Sequence, residues 1–142
     1  MFNFVINKNA TNENCKELIL KIEKKYNIVF PDIMKDYYMN HDGEKIKHCN
    51  IGTEEEPEIV SGIVSLSNND FESTKEEFVS DGFIPLSFYP IAESRGGDYY
   101  FWDSDSNGVY LVYGDDIDNP RKRSDNLEEF FKMLNGGILD EW

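Results

Sequence analysis

Asp98-Tyr99-Tyr100-Phe101-Trp102-Asp103 and Gly108-Val109-Tyr110-Leu111-Val112-Tyr113, joined by Ser104-Asp105-Ser106-Asn107, decide how this chain folds. Aromatic and β-branched residues on both sides of Asn107-Gly108 specify an antiparallel hairpin, because both of those residues accept the positive φ of a tight turn. Two registers fit. A two-residue loop sets Trp102 opposite Tyr113, and a four-residue loop sets Phe101 opposite Tyr110. Apolar side chains point to both faces, so the hairpin belongs inside a sheet with cover on each side.

Working outward, the chain supplies that cover. Cys15, Leu18, Ile19, Ile22 and Tyr26 recur at three- and four-residue steps and mark one helical face, capped by Thr11 or Asn12. Pro31 opens a second helix, carried by Ile33, Met34, Tyr37 and Tyr38 and ended by Gly43. Near the other terminus Leu127, Phe130, Phe131 and Leu134 form a buried stripe. Asp125 and Glu128 make its capping box, and Gly136-Gly137 stops it. In between, residues 45–50 and 58–66 read as strands around an acidic loop, and residues 70–79 as a weak helix. Residues 83–89 read as a further strand, which Pro85 confines to an edge or shortens. The expectation is an α+β fold: one domain over residues 1–142, with a central, mostly antiparallel sheet flanked by N-terminal and C-terminal helices.

A chain of 142 residues encloses one core without staples, and its 14% aromatic content argues for a packed interior. Asp and Glu number 28 against 14 Lys and Arg, a formal charge of −14. That field repels phosphate backbones and argues against direct nucleic-acid binding; it speeds encounter with a basic partner. Cys15 and Cys49 lack the spacing of a disulfide framework and read as reduced thiols. The first twenty residues lack the basic start and continuous apolar core of a signal peptide, and no apolar run nears the ~20 residues that cross a bilayer. A cytoplasmic protein without membrane attachment is the expectation.

Motifs that would carry chemistry are incomplete. Asp103-Ser104-Asp105-Ser106-Asn107-Gly108 matches the first half of an EF-hand loop, but the twelfth position, where a bidentate Glu is needed, is Gly114. His41, His48 and Cys49 lack zinc-ligand spacing, and His41 suits the C-terminal end of the second helix. Ser94-Arg95-Gly96-Gly97 precedes a strand rather than a helix, so it is neither a nucleophile elbow nor a phosphate cradle. Carboxylate pairs such as Asp115-Asp116 arise freely in so acidic a chain and read as solvated charge. Asp98, placed after Gly97 at the start of a strand, reads as a structural acceptor of backbone N–H groups. No catalytic residue, metal or cofactor is assigned.

Six segments in order carry a resemblance. They are Ile22-Glu23-Lys24-Lys25-Tyr26-Asn27-Ile28-Val29-Phe30-Pro31, then Tyr37-Tyr38 leading to Asp42-Gly43, then Phe83-Ile84-Pro85-Leu86. Gly97-Asp98 follows at the head of a strand, with Asn107-Gly108-Val109-Tyr110 after it, and Leu127-Glu128-Glu129-Phe130-Phe131 closes the set. Together they resemble the SUKH superfamily, which includes the yeast Knr/Smi cell-wall assembly regulators and many bacterial immunity proteins. The resemblance covers nearly the whole chain. It implies a sheet flanked by helices, no catalytic residues, and a protein partner.

In bacterial members that partner is often a toxin of a polymorphic toxin system, commonly a nuclease or deaminase; in the Knr/Smi branch the role is regulatory or scaffolding. The acidic charge fits the first reading, because a nuclease toxin must be basic to hold nucleic acid. Candidate contacts are Glu54, Glu55, Glu56 and Glu58 in the first acidic loop and Asp115, Asp116 and Asp118 after the hairpin. Tyr99, Trp102 and Tyr113 are the aromatic candidates, either as exposed anchors or as core residues. The alternative is a regulatory or scaffold domain that binds a self protein or a small ligand.

Overall fold

A computed structural model describes residues 2–6, 14–80, 82 and 84–140. Along the chain run α1 (Cys15–Tyr26), α2 (Asp32–His41), β1 (His48–Asn50), β2 (Ile59–Ile63), α3 (Asp70–Ser80), β3 (Phe88–Ser94), β4 (Tyr99–Asp103), β5 (Val109–Val112), β6 (Arg121–Ser124), α4 (Leu127–Gly136) and β7 (Ile138–Asp140). The strands form one sheet in the order β6-β5-β4-β3-β2-β1-β7, and every pair is antiparallel. This is an α+β fold, as expected.

The hairpin takes the four-residue loop, with Phe101 opposite Tyr110 and Trp102 opposite Val109. Asn107 alone uses positive φ, at 68°. Asp103 builds the turn from inside: its carboxylate accepts from the Asp105 amide at 3.0 Å and the Ser106 hydroxyl at 2.8 Å. Those bonds turn the EF-hand-like stretch into an ordinary β-turn.

Both faces of the hairpin are covered. Tyr100, Trp102, Val109 and Leu111 join the large core with residues of α1, α2 and α4 and the N-terminal Phe2 and Phe4. Phe101 and Val112 join a smaller cluster with Ile84 and Phe88, closed by Phe78, Val79 and Ile117. The stripe Leu127, Phe130, Phe131 and Leu134 is buried on the large face.

The strand expected over residues 83–89 is corrected. Residues 84–87 are bend, turn and irregular structure, Phe83 lies outside the described residues, and β3 runs from Phe88 through Pro90 to Ser94 in the middle of the sheet. A proline survives in a central strand because the neighbour stops short. β2 pairs only with Ala92, Glu93 and Ser94, and a bulge between Pro90 and Ala92 absorbs the irregularity toward β4. Lys75 fills the gap from α3, its ammonium donating to the Leu86 and Phe88 carbonyls at 2.6 and 2.8 Å.

Other boundaries shift for similar reasons. Strand 45–50 shrinks to β1 because Ile46 bridges to Val5 instead. Strand 58–66 stops at Ile63, and the Leu66 and Ser67 amides turn to the buried Asp42 carboxylate at 2.7 and 2.9 Å. The cap of α4 is Asn126 rather than Asp125: its side chain accepts from the Glu129 amide at 2.8 Å, while the Glu129 carboxylate accepts from the Asp125 amide. Pro31 caps α2 from just outside its first turn. Thr11 and Asn12 lie outside the described residues.

Candidate functional site

Antiparallel pairing decides which loops meet. Val60 lies opposite Ser94, Glu93 opposite Tyr99, Tyr99 opposite Val112, and Leu111 opposite Arg121. The loop before β2, the turn between β3 and β4, and the loop between β5 and β6 therefore emerge at one end of the sheet. Glu54, Glu55, Glu56, Glu58, Tyr99, Tyr113, Asp115, Asp116 and Asp118 all gather there. Trp102 does not. It is 1% exposed, packs edge-on to Phe30 and tilted against Tyr89, and donates its indole N–H to Asn107 Oδ1 at 3.3 Å. Its place is the core, and it is withdrawn as a surface contact.

The first acidic loop is a built shape. Asn50 Oδ1 accepts from the Gly52 amide at 2.9 Å and from the Glu58 amide at 3.0 Å, so one side chain pins both ends. Within it the Glu56 amide donates to Thr53 Oγ1 at 2.9 Å. Only glycine fits at position 52, since a Cβ there would lie 2.4 Å from the Glu56 carbonyl oxygen. Glu54, Glu55 and Glu56 are consequently held out in solvent.

Glu58 behaves differently. A flat sheet would separate β2 from β6, four spacings away, by about 19 Å. Yet Glu58 Oε1 lies 2.7 Å from Arg123 Nε, so the sheet curls and this ion pair closes the curl. The buried Tyr100 hydroxyl lies under it; burial raises its pKa well above the usual tyrosine range, and the Glu58 charge adds to the shift.

The second acidic loop is tethered by Asp98, whose Oδ1 accepts from the Gly114 amide at 2.8 Å. The Asp98 amide donates in turn to Ser94 Oγ at 3.1 Å. This is the structural acceptor read from the sequence, with Gly114 as the partner that only the fold reveals. Asp116 pairs with Arg121 at 3.5 Å, and the Arg121 guanidinium lies 4.7 Å from the Tyr113 ring centre. Asp115 and Asp118 are exposed. Tyr99 is half-buried on the other face, edge-on to Phe78 of α3; burial raises its pKa, and the nearby Glu93 charge contributes.

Between these loops lies a cleft of about 240 Å³, lined by Pro57, Glu58, Ile59, Arg95, Leu111 and Tyr113 among others. All three arginines of the protein, Arg95, Arg121 and Arg123, stand at this end of the sheet. Arg95 stands in the sequence only as part of the rejected Ser94–Gly97 motif, and for Arg121 and Arg123 the run Arg121-Lys122-Arg123 in an acidic half was the available signal. Chemically, the end offers exposed carboxylates on two loops and, between those loops, a partly neutralised cleft walled by Tyr113. Among the described residues, no three His, Cys, Asp or Glu side chains converge as a metal site. No helix among them is long and apolar enough to cross a membrane.

Residues 15–133 match the family described as the SMI1 / KNR4 family (SUKH-1). No curated protein matches the chain.

Proposed function

The chain belongs to the SMI1 / KNR4 family (SUKH-1), and on that premise we propose that it is an immunity protein that binds and neutralises a cognate intracellular toxin, specifically a basic, nuclease-type one. Family membership supports a non-catalytic binding domain, of the immunity or the Knr/Smi type. The observation that carries the finer reading is the gathering of Glu54, Glu55, Glu56, Asp115 and Asp118, all exposed, at the end of the sheet that also holds the cleft walled by Tyr113.

A nuclease holds its substrate with Lys and Arg, so its cleft is the surface that such a gathering complements. Covering it blocks substrate and attracts the toxin at long range together. Tyr113, half-exposed and stiffened by Arg121, supplies the desolvated anchor that rim charges lack. No part of this role asks the chain to do chemistry.

The test is binding kinetics against the toxin encoded by the neighbouring gene, over a range of salt. Reversing Glu54, Glu55 and Glu56 to Lys should lower the on-rate by about tenfold or more at low salt and less at high salt. Tyr113→Ala should act instead on the off-rate. An on-rate indifferent to both salt and the reversal removes the exposed carboxylates from the mechanism. No binding to the neighbouring gene product favours the scaffold role of the Knr/Smi branch.

A further inference from the structure

The helical pair carries a second surface whose lining shares no residue with the acidic end. A groove of about 280 Å³ between α1 and α2 is lined by Lys16, Ile19, Leu20, Glu23, Lys35 and Met39. Leu20 is 56% exposed and Met39 40% exposed, although the buried faces of their helices run through Ile19 and Ile22 and through Met34, Tyr37 and Tyr38. Each exposed apolar residue follows a lysine by one helical turn: Lys16 then Leu20, Lys35 then Met39. Glu23, the remaining charge, is turned inward. It accepts from the Phe30 amide at 2.8 Å, stands 3.7 Å from the Lys35 ammonium, and has a side chain only 13% exposed.

The groove therefore presents an apolar floor with a cationic rim, in a protein of charge −14. The imbalance does not extend to this part of the chain. Residues 1–50 carry eight lysines against seven acids, whereas residues 51–142 carry 21 acids against six bases.

We propose that the α1–α2 groove docks an amphipathic segment of a partner protein, whose apolar side chains lie between the helices and are flanked by Asp or Glu. Apolar anchors on one face of the segment meet Leu20 on α1 and Met39 on α2, and acidic flanks match Lys16 and Lys35. The partner's charge is opposite to that of the toxin proposed for the acidic end, so the two surfaces select different molecules and one chain can hold both. This proposal stands independently of the toxin.

The experiment titrates two synthetic helical peptides, sharing one leucine stripe but flanked by Glu in one and Lys in the other, into the isotopically labelled full chain. Backbone amide shifts are followed by NMR. The Glu peptide should shift Ile19, Leu20 and Met39 and bind at least tenfold more tightly than its Lys twin. That order is the reverse of what the −14 field alone would give, which makes it diagnostic. Leu20→Glu and the pair Lys16→Glu with Lys35→Glu should each weaken the Glu peptide at least tenfold, with circular dichroism showing an intact fold. Shifts absent from the groove overturn the proposal, as does equal or tighter binding of the Lys twin there. So do shifts at Leu20 and Met39 that grow with protein concentration alone, because they assign the groove to a second copy of the chain.

Discussion

The two faces of β4 come from one pentapeptide, Tyr99-Tyr100-Phe101-Trp102-Asp103, yet they are filled on different principles. Tyr100 and Trp102 look into a core built from all four helices, α3 contributing Phe71, and the N-terminal segment, where ring meets ring: Tyr100 on Phe130, Trp102 on Phe30 and Tyr89. Phe101 looks into a shallow cluster roofed by the end of α3 and by Ile84 and Ile117, several members of which are only partly buried. Alternation along a strand assigns residues to two faces but does not say how much protein will lie on each. The thick face holds the fold; the thin one leaves the end of α3, at Phe78 and Val79, within reach of solvent.

The largest expected effect tests the thick face. Phe130→Ala should cost about 3–5 kcal/mol in urea or guanidinium unfolding, because Phe130 is fully buried among rings that cannot all move to fill its space. A loss below about 1 kcal/mol would place it outside the core. Phe101→Ala should cost about 1 kcal/mol less, since the half-exposed roof over it can settle into the void. Equal losses would erase the distinction between the faces.

Lys75 joins α3 to the strand between the two clusters, and it gives the comparison a pH dependence. Lys75 is 4% exposed, its ammonium lies 3.7 Å from the Tyr89 ring centre, and burial pushes its pKa down to about 8. Because the folded value lies below the ordinary 10.5, the unfolded chain binds more protons between about pH 8 and 10.5, and this residue's contribution to stability rises with pH through that window. Below pH 8 its charge is a constant cost of burial, which the two carbonyls and the tyrosine ring offset in part. The stability of the native protein minus that of Lys75→Met should rise by about 1–3 kcal/mol from pH 7.5 to pH 10. A flat difference would mean that the carbonyls and ring fully compensate the burial.

The smallest effect concerns the tether of the second acidic loop. Asp98→Asn keeps an acceptor for the Gly114 amide but removes its charge, and should cost about 1–2 kcal/mol by the same unfolding measurement. Partner binding should survive it. Intact stability with lost binding would make Asp98 a contact residue instead of a tether.

Much of this was legible in the chain itself. The hairpin, the helical stripes and their glycine stops follow from periodicity and turn chemistry, which act over a few residues. The misjudged strand around Pro85 and the missed β6 and β7 share one cause. Pro90 is acceptable because β2 ends early, Arg121–Ser124 is a strand because β5 offers an edge, and Ile138–Asp140 is one because β1 does. None of those conditions is written near the residues concerned.

The candidate site divides along the same line. Sequence alone fixed the acidic excess, the two acidic loops and the structural role of Asp98, since charge and turn-forming residues are local properties. It could not choose the hairpin register, bury Trp102, or join loops 55 residues apart around Tyr113. Those outcomes depend on strand order and curl, which arise when apolar faces distant in sequence find each other. Glu58 and Arg123, 65 residues apart and 2.7 Å from contact to contact, record that step: pairing at such distance is decided by the burial of the whole sheet face, and no short stretch of the chain encodes it.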